Sequence, residues 1–366
     1  MSKLKAAVIG CGNIFPMHAA SIVGLDDVEL VAVCDNKKDR ADARAEEFQC
    51  KAYYDYQEMF DQEELDTVHI CLPHHLHAPV TIEATKHKIN VLTEKPMAIK
   101  YEDAEAMIQS AEDEGVTLAV IFQNRYNQSS QLVKNMLDNG ELGAINSSKL
   151  SVTWDRSDEY YSKSDWKGTW DKEGGGVIID QAIHTMDLAR WFIDSNIKYI
   201  DATISNRAHD IIEVEDAAEG VIAYENGVVT AFHAINYYSY DAPVEIELHC
   251  ENGIAKIVGD NGTVTLNDGR TFYAANNPEE TFDYEEGVKS YWGVNHVKQI
   301  SNYYDALLGK AELDIPLDEA LKTQRMVNAV YQSGKEKRRI TFKINNAFNW
   351  WVGLKVPSRQ LVKLEI

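Results

Sequence analysis

The stretch Lys5-Ala6-Ala7-Val8-Ile9-Gly10-Cys11-Gly12-Asn13-Ile14-Phe15-Pro16-Met17-His18 decides the fold. An apolar run ends in a Gly-x-Gly turn and passes directly into residues with helical apolar spacing, Phe15 to Leu25. Glycines at such a turn let backbone N–H groups approach a pyrophosphate at the N-terminus of the following helix. Gly10, Gly12, Asn13 and Ile14 are therefore candidate cofactor residues; Phe15 stands where the third glycine of the full motif would be. Asp35 closes the next apolar run, Glu29–Cys34, and lies 23 residues beyond Gly12. That is close to the spacing of the acid that accepts a hydrogen bond from an adenosine ribose 2′-OH. The pair predicts a dinucleotide site that prefers NAD, because a carboxylate repels a 2′-phosphate. Lys37 and Lys38 soften that repulsion and leave NADP open.

Working outward, strand patterns at Thr67–Leu72, Asn90–Thr93 and Thr117–Phe122 alternate with helical patterns at Lys37–Phe48, Ala78–His87 and Tyr101–Glu114. This alternation predicts an α/β fold with a doubly wound parallel sheet, a Rossmann domain over residues 1–123. After Asn124 the texture changes. A helix is expected at Ser129–Leu137, a strand at Ile145–Thr153, and a Gly-rich loop running into a helix over Gly174–Phe192. Alternating runs at Tyr199–Asn206, Ala217–Tyr224, Val228–Tyr237, Glu245–Glu251, Ile254–Val258 and Gly262–Leu266 are joined by turn signals such as Glu225-Asn226-Gly227. They predict a mostly antiparallel sheet in an α+β domain over residues 124–342. Helices Asn295–Leu308 and Leu317–Ser333 close that domain. Residues 343–366 form a basic and aromatic extension, and from Lys335 onward eight basic residues oppose only Glu336 and Glu365.

The 366 residues carry 36 Lys+Arg against 58 Asp+Glu, a net charge of −22. That length suits two domains of roughly 100–200 residues each. Strong acidity excludes general nucleic-acid binding and disfavours anionic membranes. No apolar run reaches the roughly 18 residues of a membrane span, and none near the start resembles a signal peptide. Five cysteines without a C-x-x-C pair read as reduced thiols, so a cytoplasmic location is expected.

Three further stretches carry chemistry. Pro73-His74-His75-Leu76-His77 follows a strand end, where ligands bind in a doubly wound sheet. Read as an extended segment, it points neighbouring imidazoles to opposite faces, which favours contacts at the cofactor rim, Leu72 included, over a metal site. Glu94-Lys95-Pro96 ends another strand at the same edge, so Lys95 is a candidate for polarising a substrate oxygen. On a helix, Asp180 and His184 are i and i+4 and share one face. A carboxylate and an imidazole so placed suit acid–base work, and equally suit a hydrogen-bonded pair on a helix surface. Asp187 reads as structural. Trp154, Asp155, Arg156, Trp166 and Tyr238 are pocket candidates that could equally be packing.

The ordered set Gly10-x-Gly12 with His18, Cys71-Leu72-Pro73 to His77, Glu94-Lys95-Pro96, Asn124-Arg125-Tyr126 and Gly174 to Trp191 resembles the Gfo/Idh/MocA family of nicotinamide-dependent oxidoreductases. The resemblance covers residues 5 to about 340. It implies a Rossmann domain, a second domain with a large open sheet that commonly forms the oligomer interface, and substrates that are sugars, cyclitols or their derivatives. Lys95 would be the catalytic lysine. Asp180 would bind substrate, and His184 would be the acid–base histidine. Pro73, His74, His77 and Glu94 would border the cofactor, and Asn124 and Tyr126 would meet the substrate. A homodimer or homotetramer is expected. The alternatives are a nucleotide-binding regulatory protein without turnover, and a metal-dependent hydrolase using His74, His75 and His77.

Overall fold

The computed structural model describes residues 3–277 and 295–342. The basic and aromatic extension at 343–366 lies outside the described residues.

Six strands form one parallel sheet: β1 (Leu4–Ile9), β2 (Val28–Cys34), β3 (Lys51–Tyr53), β4 (Thr67–Ile70), β5 (Asn90–Thr93) and β6 (Leu118–Val120). Their order is β3-β2-β1-β4-β5-β6. Helices α1 (Phe15–Val23), α2 (Lys38–Phe48), α3 (Tyr56–Gln62), α4 (His74–Lys86) and α5 (Tyr101–Glu114) make the crossovers. The strand order reverses between β1 and β4, the switch point at which such sheets bind nucleotides. Strands buried on both faces need continuous apolar runs, and Ala6, Ala7, Val8, Val68, Ile70, Val91 and Leu92 are all fully buried.

The second sheet has nine strands: β7 (Ile145–Thr153), β8 (Ile197–Ser205), β9 (Ala217–Tyr224), β10 (Val229–Ile235), β11 (Glu245–Cys250), β12 (Gly253–Val258), β13 (Asn261–Leu266), β14 (Thr271–Ala274) and β15 (Ile340–Thr341). The order is β14-β13-β12-β11-β7-β10-β9-β8-β15, antiparallel except where β7 meets β10. One face packs against α6 (Gln128–Asp138), α8 (Ile183–Ile193) and α10 (Leu317–Glu336); the other faces outward. Further helical elements are a 3₁₀ turn (Gln123–Tyr126), a short helix, α7 (Asp158–Ser162), and α9 (His296–Leu307). Helix α9 packs on α1, and its Ile300, Tyr303 and Tyr304 join the apolar cluster on the first sheet.

Two local readings change. The histidine run is helical, not extended: α4 begins at His74, four residues before the expected start, and carries Pro79 within it. Pro73 supplies an extended φ/ψ just ahead of the first turn. The stretch Val177–Ala182 is a π-helical turn, with the α-helix starting only at Ile183. No helix among the described residues is long and apolar enough to cross a membrane.

Candidate active site

At the cofactor edge, Gly10 has φ +99°, and a Cβ there would meet the Cys71 carbonyl oxygen at 2.3 Å. Only glycine fits that turn. A Cβ on Gly12 would meet nothing within 4 Å, so space lies open where a pyrophosphate would approach the start of α1. The Asp35 carboxylate is pinned beside this turn, accepting from the Cys11 N–H (2.9 Å) and the Lys37 N–H (2.8 Å). The open glycine face, the pinned carboxylate and the switch point fit an adenine dinucleotide.

Leu72, Pro73 and His74 follow β4; Glu94 and Lys95 follow β5, at the same edge of the sheet. The Lys95–Pro96 peptide is cis. Lys95 leans across to the second domain. Its Nζ donates to the Asp180 main-chain oxygen at 2.9 Å and to Oδ1 at 3.3 Å. Asp180 Oδ2 accepts from Lys167 Nζ (2.9 Å), the Tyr160 hydroxyl (2.8 Å) and the Gln181 amide (2.7 Å). Burial would raise this carboxyl, but Lys167, Lys95 and His74 together hold it well below the usual carboxylate range.

The π turn that carries Asp180 is anchored from beneath. Gly176 has no room for a side chain, because a Cβ would meet the Glu215 carbonyl oxygen at 2.0 Å. The Glu215 carboxylate accepts from the N–H groups of Gly176 (2.9 Å) and Ile178 (3.1 Å), and from the Tyr331 hydroxyl (2.9 Å). Burial pushes Glu215 up to about 7 even so. Helix starts leave N–H groups without intrahelical partners; here a buried carboxylate from the chain ahead of β9 takes two of them.

His184 sits one turn after Asp180. The two are buried and share no hydrogen bond, so they are not the surface pair that the spacing allowed. Burial and then the Lys95 charge push His184 down to about 3. Its Nδ1 has no hydrogen-bond partner among the described residues. His184 lines a cavity of about 260 Å³ together with Asn124, Asn127, Trp154, Gln181, Asp241 and Asp260.

The other predicted residues divide. Trp166 packs on the His74 ring (4.8 Å between centroids), beside the Lys95–Asp180 pair and outside the cavity lining. Tyr126 points elsewhere, its hydroxyl donating to Asp314 Oδ2 at 2.9 Å. Arg156 pairs with Asp241 (2.7 Å), and Tyr238 lies against Tyr240 on the surface. Asp187 is structural as expected: it accepts from Arg125 Nε and Nη2, each at 2.8 Å, and from the Thr323 hydroxyl at 2.6 Å.

The three imidazoles of the histidine run do not converge as ligands. His74 Nδ1 donates to the Glu173 carbonyl oxygen (2.8 Å). Both nitrogens of His77 face carbonyl oxygens, of Pro96 (2.7 Å) and Leu72 (2.8 Å). His74 and His77 share a helix face and brace the two strand ends against each other.

Tyr160, Lys167, Glu173, Asp241 and Asp260 were not legible beforehand. Lys167 adjoins the named Trp166, yet no spacing rule points to it. Burial and then Asp180 push Glu173 up to about 8.

Two family models match the chain: an oxidoreductase family with an NAD-binding Rossmann fold over residues 4–122, and the GFO/IDH/MocA C-terminal domain over residues 130–256. D-glucoside 3-dehydrogenase of Escherichia coli is 27% identical over 364 residues, covering 93% of this chain and 97% of that protein. Myo-inositol 2-dehydrogenase of Thermotoga maritima is 25% identical over 253 residues, covering 66% of this chain and 72% of its own. Among solved structures, the WlbA dehydrogenase of Bordetella pertussis, in complex with NADH and UDP-GlcNAcA, superposes with a TM-score of 0.81 at 26% identity. That match covers 94% of this chain and 100% of the other.

Proposed function

The chain belongs to the Gfo/Idh/MocA family of NAD-binding oxidoreductases, and from that premise we propose that it oxidises a secondary alcohol of an uncharged sugar or cyclitol, with Lys95, Asp180 and His184 at the reacting carbon. The observation that carries the reading is the junction itself. Lys95 from the cofactor edge reaches Asp180 of the second domain, and His184 one turn on faces the cavity. The dinucleotide, when bound, takes or returns a hydride at nicotinamide C4.

The chain's own groups manage the proton and the charge. Lys95 donates to the substrate oxygen most strongly as that oxygen becomes alkoxide-like. Asp180 accepts from a neighbouring hydroxyl and orients the ring, with Lys167 and Tyr160 holding its other oxygen. His184 is neutral at working pH, since burial and the Lys95 charge keep it near 3. As the developing oxyanion meets the lysine charge, that brake eases and the imidazole takes the hydroxyl proton.

The lining supports an uncharged polyol. Among the described residues the cavity lining includes Asp260 and Asp241, the latter paired with Arg156 from outside the lining, and no lysine or arginine. Burial raises the Asp260 carboxyl, and it has no hydrogen bond or ion pair among the described residues. Such a group suits substrate hydroxyls and repels a carboxylate or phosphate. Trp154 offers an apolar face for a sugar ring.

The proposal includes assembly through the outward face of the nine-stranded sheet as a homodimer or homotetramer, since an open antiparallel face is available for another layer. Val229 and Ile254 are among the apolar side chains exposed there. A cytoplasmic location is also part of it, in keeping with five free cysteines. The test is an initial-rate screen at the NADH absorbance band, setting neutral glycosides and inositols against uronic acids and sugar phosphates. Turnover of the neutral set is expected; a preference for the anionic set, or none for either, refutes it.

A further inference from the structure

Behind Lys95 runs a buried line of polar side chains that the reaction above leaves unused. His18 of α1, His69 of β4, Glu94 after β5, and His296 and Tyr304 of α9 are each at most 7% exposed. The Tyr304 hydroxyl lies 2.9 Å from His69 Nε2, and His69 Nδ1 lies 2.8 Å from His18 Nδ1. His18 Nε2 and His296 Nε2 lie 3.0 and 3.1 Å from Glu94 Oε1. The Lys95 N–H donates to Glu94 Oε2 at 3.2 Å.

With His18 and His69 neutral, one arrangement of protons satisfies every contact. An ionised carboxylate only accepts, so His18 and His296 both donate from Nε2. A neutral imidazole has a single N–H, so His18 Nδ1 accepts and His69 Nδ1 donates to it. His69 Nε2 is then left as an acceptor, and the Tyr304 hydroxyl donates. Burial lowers both His18 and His69, which favours neutral rings. The reverse polarity fails, because it would aim a lone pair of His18 at the Glu94 anion.

We propose that His69 is a positioning residue: by fixing the tautomer of His18 it holds Glu94 as an oriented anion, which sets the backbone from which Lys95 reaches Asp180. The role rests on the function given to Lys95 above. The titratable and charged groups around Glu94 are His18, His69, His296, Cys71, His77, His184 and Lys95. Of these only His18, His296 and the Lys95 backbone bond to it, so His18 is the route by which His69 acts. One potential ligand atom each from His18, Glu94 and His296 also lies within 4.8 Å of the other two, a spacing that a cation could use. Two nitrogens at hydrogen-bond distance from one oxygen, with the second nitrogen of His18 already engaged, favour donors over ligands.

The experiment uses the full chain with NAD bound. Histidine-selective ¹⁵N NMR is expected to show Nε2–H tautomers at His18 and His296, an Nδ1–H tautomer at His69, and no titration of His18 or His69 between about pH 5.5 and 8.5. His69→Phe removes the donor and is expected to lower kcat at least about tenfold, as misplaced catalytic groups do, with a smaller change in KM for NAD. His69→Gln keeps one donor and one acceptor and is expected to restore kcat to within about threefold of wild type. A thermal shift with NAD confirms that each variant is folded. Wild-type kcat in folded His69→Phe, equal damage from His69→Gln, titration of His18, or stoichiometric bound metal would each overturn the proposal. The NMR arm needs no turnover, so a wrong substrate class leaves it standing and shows as a failed screen alone.

Discussion

Glu173→Gln should make the protein's stability less sensitive to rising pH. Glu173 is fully buried, Oε2 accepts from the Gly168 N–H, and Oε1 has no partner among the described residues. Burial and the nearby Asp180 raise its pKa from 4.5 to about 8 in the fold, against the opposing pull of Lys167. Below pH 4.5 both folded and unfolded chains carry the proton, and its stabilising contribution is fully present. Between 4.5 and about 8 the unfolded chain has released the proton and the folded chain keeps it, so stability falls as pH rises. Above that window the loss is complete. A gap of this size corresponds to ~5 kcal/mol at most, of which ~3 kcal/mol falls between about pH 5.5 and 8.5. The Gln variant stays neutral throughout, and its amide oxygen can still accept from Gly168. Urea unfolding of both proteins at several pH values isolates the term, because Glu215 and the surface groups cancel in the difference. The variant should gain on the wild type steadily across the window. A difference that stays constant with pH to within about 1 kcal/mol would refute the assignment of a buried proton to Glu173.

Three shorter predictions follow from the same geometry. Gly10→Ala should abolish NAD-induced thermal stabilisation, since the left-handed φ and the Cys71 carbonyl at 2.3 Å leave no place for a Cβ. Asp187→Asn should cost about 3–5 kcal/mol in urea unfolding, because it uncovers the buried Arg125 guanidinium. His184→Ala should cut kcat by about 10²–10⁴-fold; with the imidazole held near 3 in the free chain, wild-type kcat/KM should show no His184 limb above about pH 5, read from a pH–rate profile.

Much of the fold was legible where periodicity ran long. Asn90–Thr93, Tyr101–Glu114, Ile145–Thr153 and Ala217–Tyr224 were read to the residue, and other boundaries moved by a few positions. The short strands β3, β14 and β15 were not read. The histidine run, read as extended, is instead the first turn of a helix that accommodates Pro79 near its beginning. The π turn was invisible because it depends on Glu215 and Tyr331, which lie 35 and 151 residues beyond Asp180 in the chain.

Local spacing along the chain encodes the nucleotide edge. A glycine turn after an apolar run, and an acid at the end of the next strand, specify a nucleotide edge through backbone geometry alone. The ordered motifs from Gly10 to Trp191 specify the family. Tertiary structure alone decided which groups surround the Lys95–Asp180 pair, because Tyr160, Lys167 and Glu173 have no periodic relation to either. It also decided the protonation of the interior. Burial and the charges gathered by folding push His184 down to about 3 and Glu173 up to about 8. His69 meets Tyr304 across 235 residues of chain. Charge states in a low-dielectric interior depend on neighbours brought together from distant segments, and no local pattern carries that information.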